Sequence, residues 1–220
     1  MAPPIPVFDG VIDVSHNNGA IDWKAVACTG IALAFVKASE GTGFTDPLFV
    51  KNKAAAEAAG LMVVPYHFVD AGDDPISQAR FFMATAGLAE GRPAMLDWEI
   101  SGFSADQVAQ LGYAVESFTG RNPVYYYGWA QLSTPNPTLG ASPLMLPEYP
   151  RATASGTYAS LVTAAPRVPP GRPASRPYDF HQYTPAGQVS GIAGPVDRSV
   201  WVGTLDSLRA WFLTGAIPVS

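Results

Sequence analysis

Short, β-rich apolar runs alternate with helical segments along the first half of this chain, and that alternation constrains the fold more than any other feature of the sequence. The runs are G-V-I-D-V at 10–14, A-L-A-F-V-K at 32–37 and L-M-V-V-P-Y-H-F at 61–68, together with the opening stretch. Each is followed by a helical pattern. Asp46-Pro47 is read as the N-cap and first position of a helix over F-V-K-N-K-A-A-A-E-A-A that stops at Gly60, and Asp74-Pro75 repeats the device before I-S-Q-A-R-F-F-M-A-T-A. Ser104 with Gln107 reads as a capping box opening a helix that ends near Gly120. The second half continues with strands at 123–127, 143–149 and 178–183, fewer helices and looser Pro- and Gly-rich segments. Strand, helix, strand in this order predicts a parallel sheet with right-handed crossovers, either doubly wound or closed into a barrel. No phosphate-binding glycine motif follows the first strand, which weakens a nucleotide-binding reading.

One run carries more than packing needs. A-M-L-D-W-E-I at 94–100 is an apolar strand with two acids, Asp97 and Glu99. Alternation sends both acids to one face and Leu96, Trp98 and Ile100 to the other. Burying unpaired carboxylates costs several kcal/mol, so folding alone gives no reason to place them there. A solvated edge strand is one explanation. The other comes from the company they keep: Asp13 lies near the end of the first strand, Lys37 and Glu40 at the end of the second, Tyr66 and His67 at the end of the third. In a parallel barrel those ends converge on one mouth, where active sites are built. Trp98, Tyr125 and Tyr127 alternate away from the acids toward the helix layer, which leaves Tyr126 facing inward with Val124.

Composition bounds the rest. With 220 residues, 48% of them hydrophobic and 14% charged, the chain can bury a sizeable core. A net charge of −5 argues against a nucleic-acid partner. The local exception is Arg151, Arg167, Arg172 and Arg176 in a proline-rich stretch where Asp179 is the only acid, read either as a solvated loop or as a surface for an anionic polymer. Cys28 is the single cysteine, so no internal disulfide is expected. His16, His67 and His181 are scattered, and no metal site is expected. No apolar run reaches the length of a membrane span and the start lacks a signal-peptide pattern, so stable membrane association is not expected either.

The blocks G-V-I-D-V-S-H-N-N-G-A-I-D-W at 10–23, F-V-K-A-S-E-G at 35–41, T-D-P-L-F at 45–49, A-G-L-M-V-V-P-Y-H-F at 59–68, L-D-W-E at 96–99 and H-Q-Y-T-P-A-G-Q-V-S-G-I-A-G-P-V-D at 181–197 occur together and in order. In that order the chain resembles the family 25 glycoside hydrolases, the Chalaropsis-type lysozymes or muramidases. The resemblance implies an α/β fold, an irregular single-domain (β/α) barrel with fewer helices in its second half, one domain over 1–220 with a core about 8–214 and no separate wall-binding domain. It implies hydrolysis of the β-1,4 bond between N-acetylmuramic acid and N-acetylglucosamine in peptidoglycan, without a cofactor. Glu99 matches the family's general acid and Asp97 its acidic partner. Asp13 and Asp197 match further acids, Tyr66 and Tyr126 cleft tyrosines, and Gln182 the polar residue of the family's W-Q-Y block. Lys37, Glu40 and His67 are candidate substrate contacts, Lys37 and Glu40 equally an ion pair, and for His67 a hydrogen-bonded structural histidine is the commoner case. Net retention with participation of the substrate acetamide is implied. So is a monomeric, phage endolysin-like protein made in the host cytoplasm and acting on the wall after release. Met145 stands where the family often has tryptophan, Pro147 where it has a small residue, and H-Q-Y replaces W-Q-Y, which alters the sugar-stacking wall but not the carboxylates. The alternative from another class is a catalytically silent barrel that binds wall glycan.

Overall fold

In a computed structural model, residues 6–217 are described apart from Trp129, 132–139, Ala141, 151–152, 165–166, Pro170 and 173–175. Arg151 therefore lies outside the described residues. The strands are β1 Val7–Val14, β2 Leu33–Glu40, β3 Phe44–Thr45, β4 Met62–Phe68, β5 Met95–Trp98, β6 Val124–Tyr127, β7 Leu144–Pro147, β8 Phe180–Gly187 and β9 Val196–Val202. The helices are α1 Trp23–Ala27, α2 Phe49–Ala58, α3 Pro75–Ala86, α4 Ala105–Thr119, α5 Tyr158–Leu161 and α6 Leu205–Thr214.

Strand order is β1-β9-β8-β7-β6-β5-β4-β2, and β1 also pairs with β2, so among the described residues eight strands close a barrel while β3 hangs on the rim beside β2. Six of the pairings around the barrel are parallel, as the alternation predicts. The two pairings of β9 are antiparallel, against the all-parallel expectation. Only residues 188–195 separate β8 from β9, too short for the crossover of about a dozen residues that a parallel return requires.

Alternation divides the barrel's side chains between two cores. Val11, Phe35, Val64, Met95, Val124, Met145, Phe180 and Trp201 fill the interior. Ile12, Val36, Leu96, Trp98, Tyr125, Tyr127 and Leu146 face the helices, joined by Phe82 of α3 and Leu111 of α4. Tyr125 packs so closely on α4 that a Cβ at Gly112 would stand 1.6 Å from its hydroxyl, so that helix position is open only to glycine. At the other end of the barrel from the β5 acids, α6 plugs the opening: Trp211 is buried against Phe180 and Trp201, with ring centroids 5.3 and 5.6 Å away. The Arg121 guanidinium donates to the Trp211 and Phe212 carbonyls at the C-terminal end of α6.

The caps are mostly those expected. Asp74 accepts from Ser77 N with Pro75 following it, and Ser104 and Gln107 form a reciprocal capping box with Gly120 closing α4 at φ 70°. Asp46 differs. Helix α2 begins at Phe49 behind Leu48, and the buried Asp46 carboxylate accepts instead from Leu48 N, His16 N and His16 Nδ1, each at 2.9 Å. A long-range tie took precedence over the local cap.

The arginine-rich stretch is likewise not simply a solvated loop. Asp179, with no exposed surface, accepts from Arg172 at 2.7 Å, Arg176 at 2.6 Å and Leu144 N at 2.9 Å, anchoring the stretch to the start of β7. Breaking such a buried group strands two guanidinium ions, so Asp179→Ala is expected to lower stability by about 3–5 kcal/mol. Removal of Lys53 from its exposed pair with Glu57 should cost only about 0.3–0.5 kcal/mol. Denaturant midpoints of the two variants check the contrast.

Candidate active site

Toward the mouth, the inward-facing positions change from apolar to polar, strand by strand. Two residues beyond Val11 comes Asp13, beyond Phe35 Lys37, beyond Val64 Tyr66, beyond Met95 Asp97, beyond Val124 Tyr126 and beyond Phe180 Gln182. From the antiparallel strand, Asp197 arrives directly opposite Asp13. Asp97 is level with Tyr126. Glu99 stands just past the end of β5, exposed to the cleft. The structure thus brings Asp13, Asp97, Glu99 and Asp197 into one mouth, with Tyr66, Tyr126, Lys37 and Gln182 around them.

Gln182 organises one wall. Its Nε2 donates to Asp13 Oδ2 at 2.8 Å, and its Oε1 accepts from the Tyr126 hydroxyl at 3.0 Å and from the Tyr149 hydroxyl. Tyr149 was not singled out in the sequence; its signal is an aromatic residue two positions beyond the inward-facing Pro147. On the opposite wall Lys37 Nζ binds Glu40 at 2.7 Å and sits 4.7 Å from the centre of the Phe68 ring, so Lys37 and Glu40 form an ion pair at the rim.

His67 is a correction. It has no exposed surface, bonds Ser39 Oγ at 2.9 Å and Gln78 Oε1 at 3.1 Å, and packs on Phe82 between the barrel and α3. Burial lowers its pKa to about 4, keeping the ring neutral. Alternation explains the placement: Tyr66 is inward, so His67 is outward. His181, beside the inward Gln182, is buried in the same way against the Glu148 carbonyl and Tyr158.

The inward-facing donors Tyr126 and Lys37 are engaged by Gln182 and Glu40. Asp97 Oδ1 is enclosed without a hydrogen-bond partner among the described residues. Burial first, then the charges of Glu99 and Asp13, push the Asp97 pKa well above the ordinary carboxylate range. Burial and Asp197 do the same to Asp13, against the Gln182 bond, and Asp197 is pushed up to about 6 by burial and Glu99. Burial raises Glu99 too, opposed by Lys37. Four carboxyls in one low-dielectric mouth cannot all be ionised, so they share protons near neutrality. Among the described residues, no three His, Cys, Asp or Glu side chains are placed to hold a metal ion.

Residues 12–192 match the family model for glycosyl hydrolases family 25. The chain belongs to that family. Family 25 relatives extend over nearly all of it: lysozyme M1 of Streptomyces globisporus is 31% identical over 90% of this chain and 69% of its own length. The YegX protein of Escherichia coli K12 is 35% identical over 91% of this chain and 72% of its own. Among solved structures, the bacterial lysozyme from Streptomyces coelicolor superposes with a TM-score of 0.80 at 30% identity, covering 94% of this chain and 99% of that one. The family 25 barrel is therefore the fold, and the carboxylate mouth is its candidate active site.

The raised acids carry a stability cost with a defined sign. An Asp197 that titrates near 6 when folded and near 4 when unfolded binds more protons in the native state between those values, so stability falls as pH rises through that window. Asp197→Asn removes the loss. Its melting temperature should exceed wild type at pH 7.5, by roughly 2–4 °C for each kcal/mol recovered, and match it at pH 3.5. Calorimetry at the two pH values checks this.

Proposed function

We propose that this family 25 glycoside hydrolase is a muramidase that cleaves the β-1,4 bond between N-acetylmuramic acid and N-acetylglucosamine in peptidoglycan, with Glu99 as the general acid. The observation that carries the reading is the pairing of a cleft-exposed Glu99, its carboxyl biased toward the protonated form, with a more enclosed Asp97 whose Oδ1 has no partner among the described residues. Glycoside hydrolysis needs a proton for the leaving oxygen and stabilisation of an oxocarbenium-like centre. Glu99 supplies the first. The second comes from the substrate: its 2-acetamido carbonyl oxygen attacks C1 as the glycosidic bond breaks, while Asp97 accepts the acetamide N–H. Glu99, now a carboxylate, takes a proton from water as that water adds to C1 and breaks the bond between C1 and the acetamide oxygen, restoring the acetamide. Two inversions give net retention.

The neighbours fit supporting roles in this scheme. Asp13 and Asp197 help Asp97 orient the sugar, with Gln182 bonded to Asp13. Tyr66 and Tyr126 line the sugar, and the Lys37–Glu40 pair marks one rim. The relatives' names, lysozyme among them, support peptidoglycan as the polymer. We propose that the enzyme works as a monomer on the wall, without stable membrane or nucleic-acid partners. Among the described residues no helix is long and apolar enough to cross a membrane.

Purified peptidoglycan digested by wild type, with new reducing ends chemically reduced and identified by mass spectrometry, should yield muramitol. Glu99→Gln should lower the rate by roughly 10²–10⁴-fold while the variant still sediments with the wall. Glucosaminitol ends would reassign the bond that is cut. Wall binding by wild type without new ends would make the protein a silent glycan-binding barrel.

A further inference from the structure

Glu99 lies beyond the last residue of β5. The chain on both sides of it is held from the loop that follows β6. Gly128 N donates to the Trp98 carbonyl at 2.9 Å, and Gln131 Nε2 donates to the Ile100 carbonyl at 2.6 Å. Gln131 is buried, and its own N–H donates to the Gly128 carbonyl at 3.1 Å. A Cβ on Gly128 would stand 2.6 Å from Glu99 Cβ and 2.7 Å from both Glu99 Cα and Gln131 Oε1. Glycine at 128 lets Glu99 and the Gln131 amide crowd one point from two sides.

The direction of that amide is fixed by chemistry. The Ile100 carbonyl can only accept, so the atom facing it is Nε2 and the atom left over is the acceptor Oε1. Oε1 is buried and has no hydrogen-bond partner among the described residues. Buried acceptors are rarely left unpaired. The carboxyl carbon of Glu99 is only two bonds beyond the Cβ that shares this corner, and a protonated carboxyl carries the missing donor.

We propose that Gln131 is a positioning residue for Glu99: its Nε2 fixes the chain at Ile100, and its Oε1 accepts a hydrogen bond from the acid form of Glu99, aiming that acid across the cleft. The role rests on the reading of Glu99 as general acid. The titratable groups around Glu99 are Asp97 of β5, Asp13 of β1, Asp197 of β9, Tyr126 of β6, Tyr149 after β7 and Lys37 of β2, of which Lys37 opposes the acid form by its charge. Gln131 carries no charge. Gln131 favours only the protonated form, so its loss moves the Glu99 titration to lower pH.

The test compares pH-rate profiles of wild type, Gln131→Met and Gln131→Glu on peptidoglycan. The methionine variant, similar in size but without amide atoms, should lose about 10- to 100-fold in kcat with little change in KM, and its basic limb should shift to lower pH. The glutamate variant should approach wild-type activity in acid, where its carboxyl offers an O–H to Ile100 and a carbonyl to Glu99, and should fall away as it ionises. A folded methionine variant with wild-type kcat and an unmoved basic limb would overturn the proposal. So would a glutamate variant whose activity relative to wild type is independent of pH, and that variant decides the matter if the methionine protein does not fold. If wild type cuts no glycan, the general-acid reading fails separately. Carbon-13 titration of the Glu99 carboxyl in wild type and Gln131→Met then tests the contact directly: a lower midpoint in the variant supports it and an equal one refutes it.

Discussion

The seam between β1 and β9 is the constraint on which the rest of this structure depends. A barrel closed only by parallel strands would bring every strand's C-terminal end to the mouth. Here β9 runs the other way and offers the beginning of a strand instead, so Asp197 enters the site opposite Asp13. The same short return from β8 sends the end of β9 to the far opening, where α6 follows and its Trp211 closes the barrel against Phe180 and Trp201. One reversed strand thus seals the bottom and adds a fourth carboxylate to the top.

That fourth carboxylate sets the chemistry. Burial raises all four carboxyls, the Glu99 charge adds to the rise at Asp97, Asp13 and Asp197, and Lys37 and the Gln182 bond pull the other way at Asp97, Glu99 and Asp13. The cluster is destabilising to the fold near neutrality, and the apolar barrel interior beneath it holds it in place. A site that keeps a proton on one carboxyl while presenting it to a cleft is suited to donating that proton to a leaving oxygen. The enclosed Asp97 and the exposed Glu99 differ in access rather than in type, which allows two acids one residue apart to take different parts.

Much of this was legible in the sequence because period-two alternation is a hard geometric rule. It put Asp97 inward and Trp98 outward, Tyr126 inward and Tyr125 and Tyr127 outward, and all five are so placed. Applied with equal strictness at 66–67, the same rule would have sent His67 to the helix layer. Long-range partners were harder to read. Asp46 has the local pattern of an N-cap, yet a histidine thirty positions earlier in the chain claims its carboxylate. V-D-R-S-V-W-V at 196–202 hides a strand behind two charged residues, because its polar positions face a site and an ion pair, Arg198 with Asp9, instead of solvent. Gln131 lies in a loop whose course no periodicity specifies.

The central claim is that the mouth carboxyls share protons because the barrel gathers them in a poorly solvated space. Carbon-13 NMR of side-chain carboxyls, titrated from acid to alkaline pH in the wild-type protein and assigned by single substitution, measures it directly. The account predicts resonances that titrate well above the ordinary range for Asp13 and Asp97, one near 6 for Asp197, and a Glu99 midpoint above its ordinary value. Four independent midpoints at or below about 4 would contradict it and leave the cleft without an acid suited to the reaction.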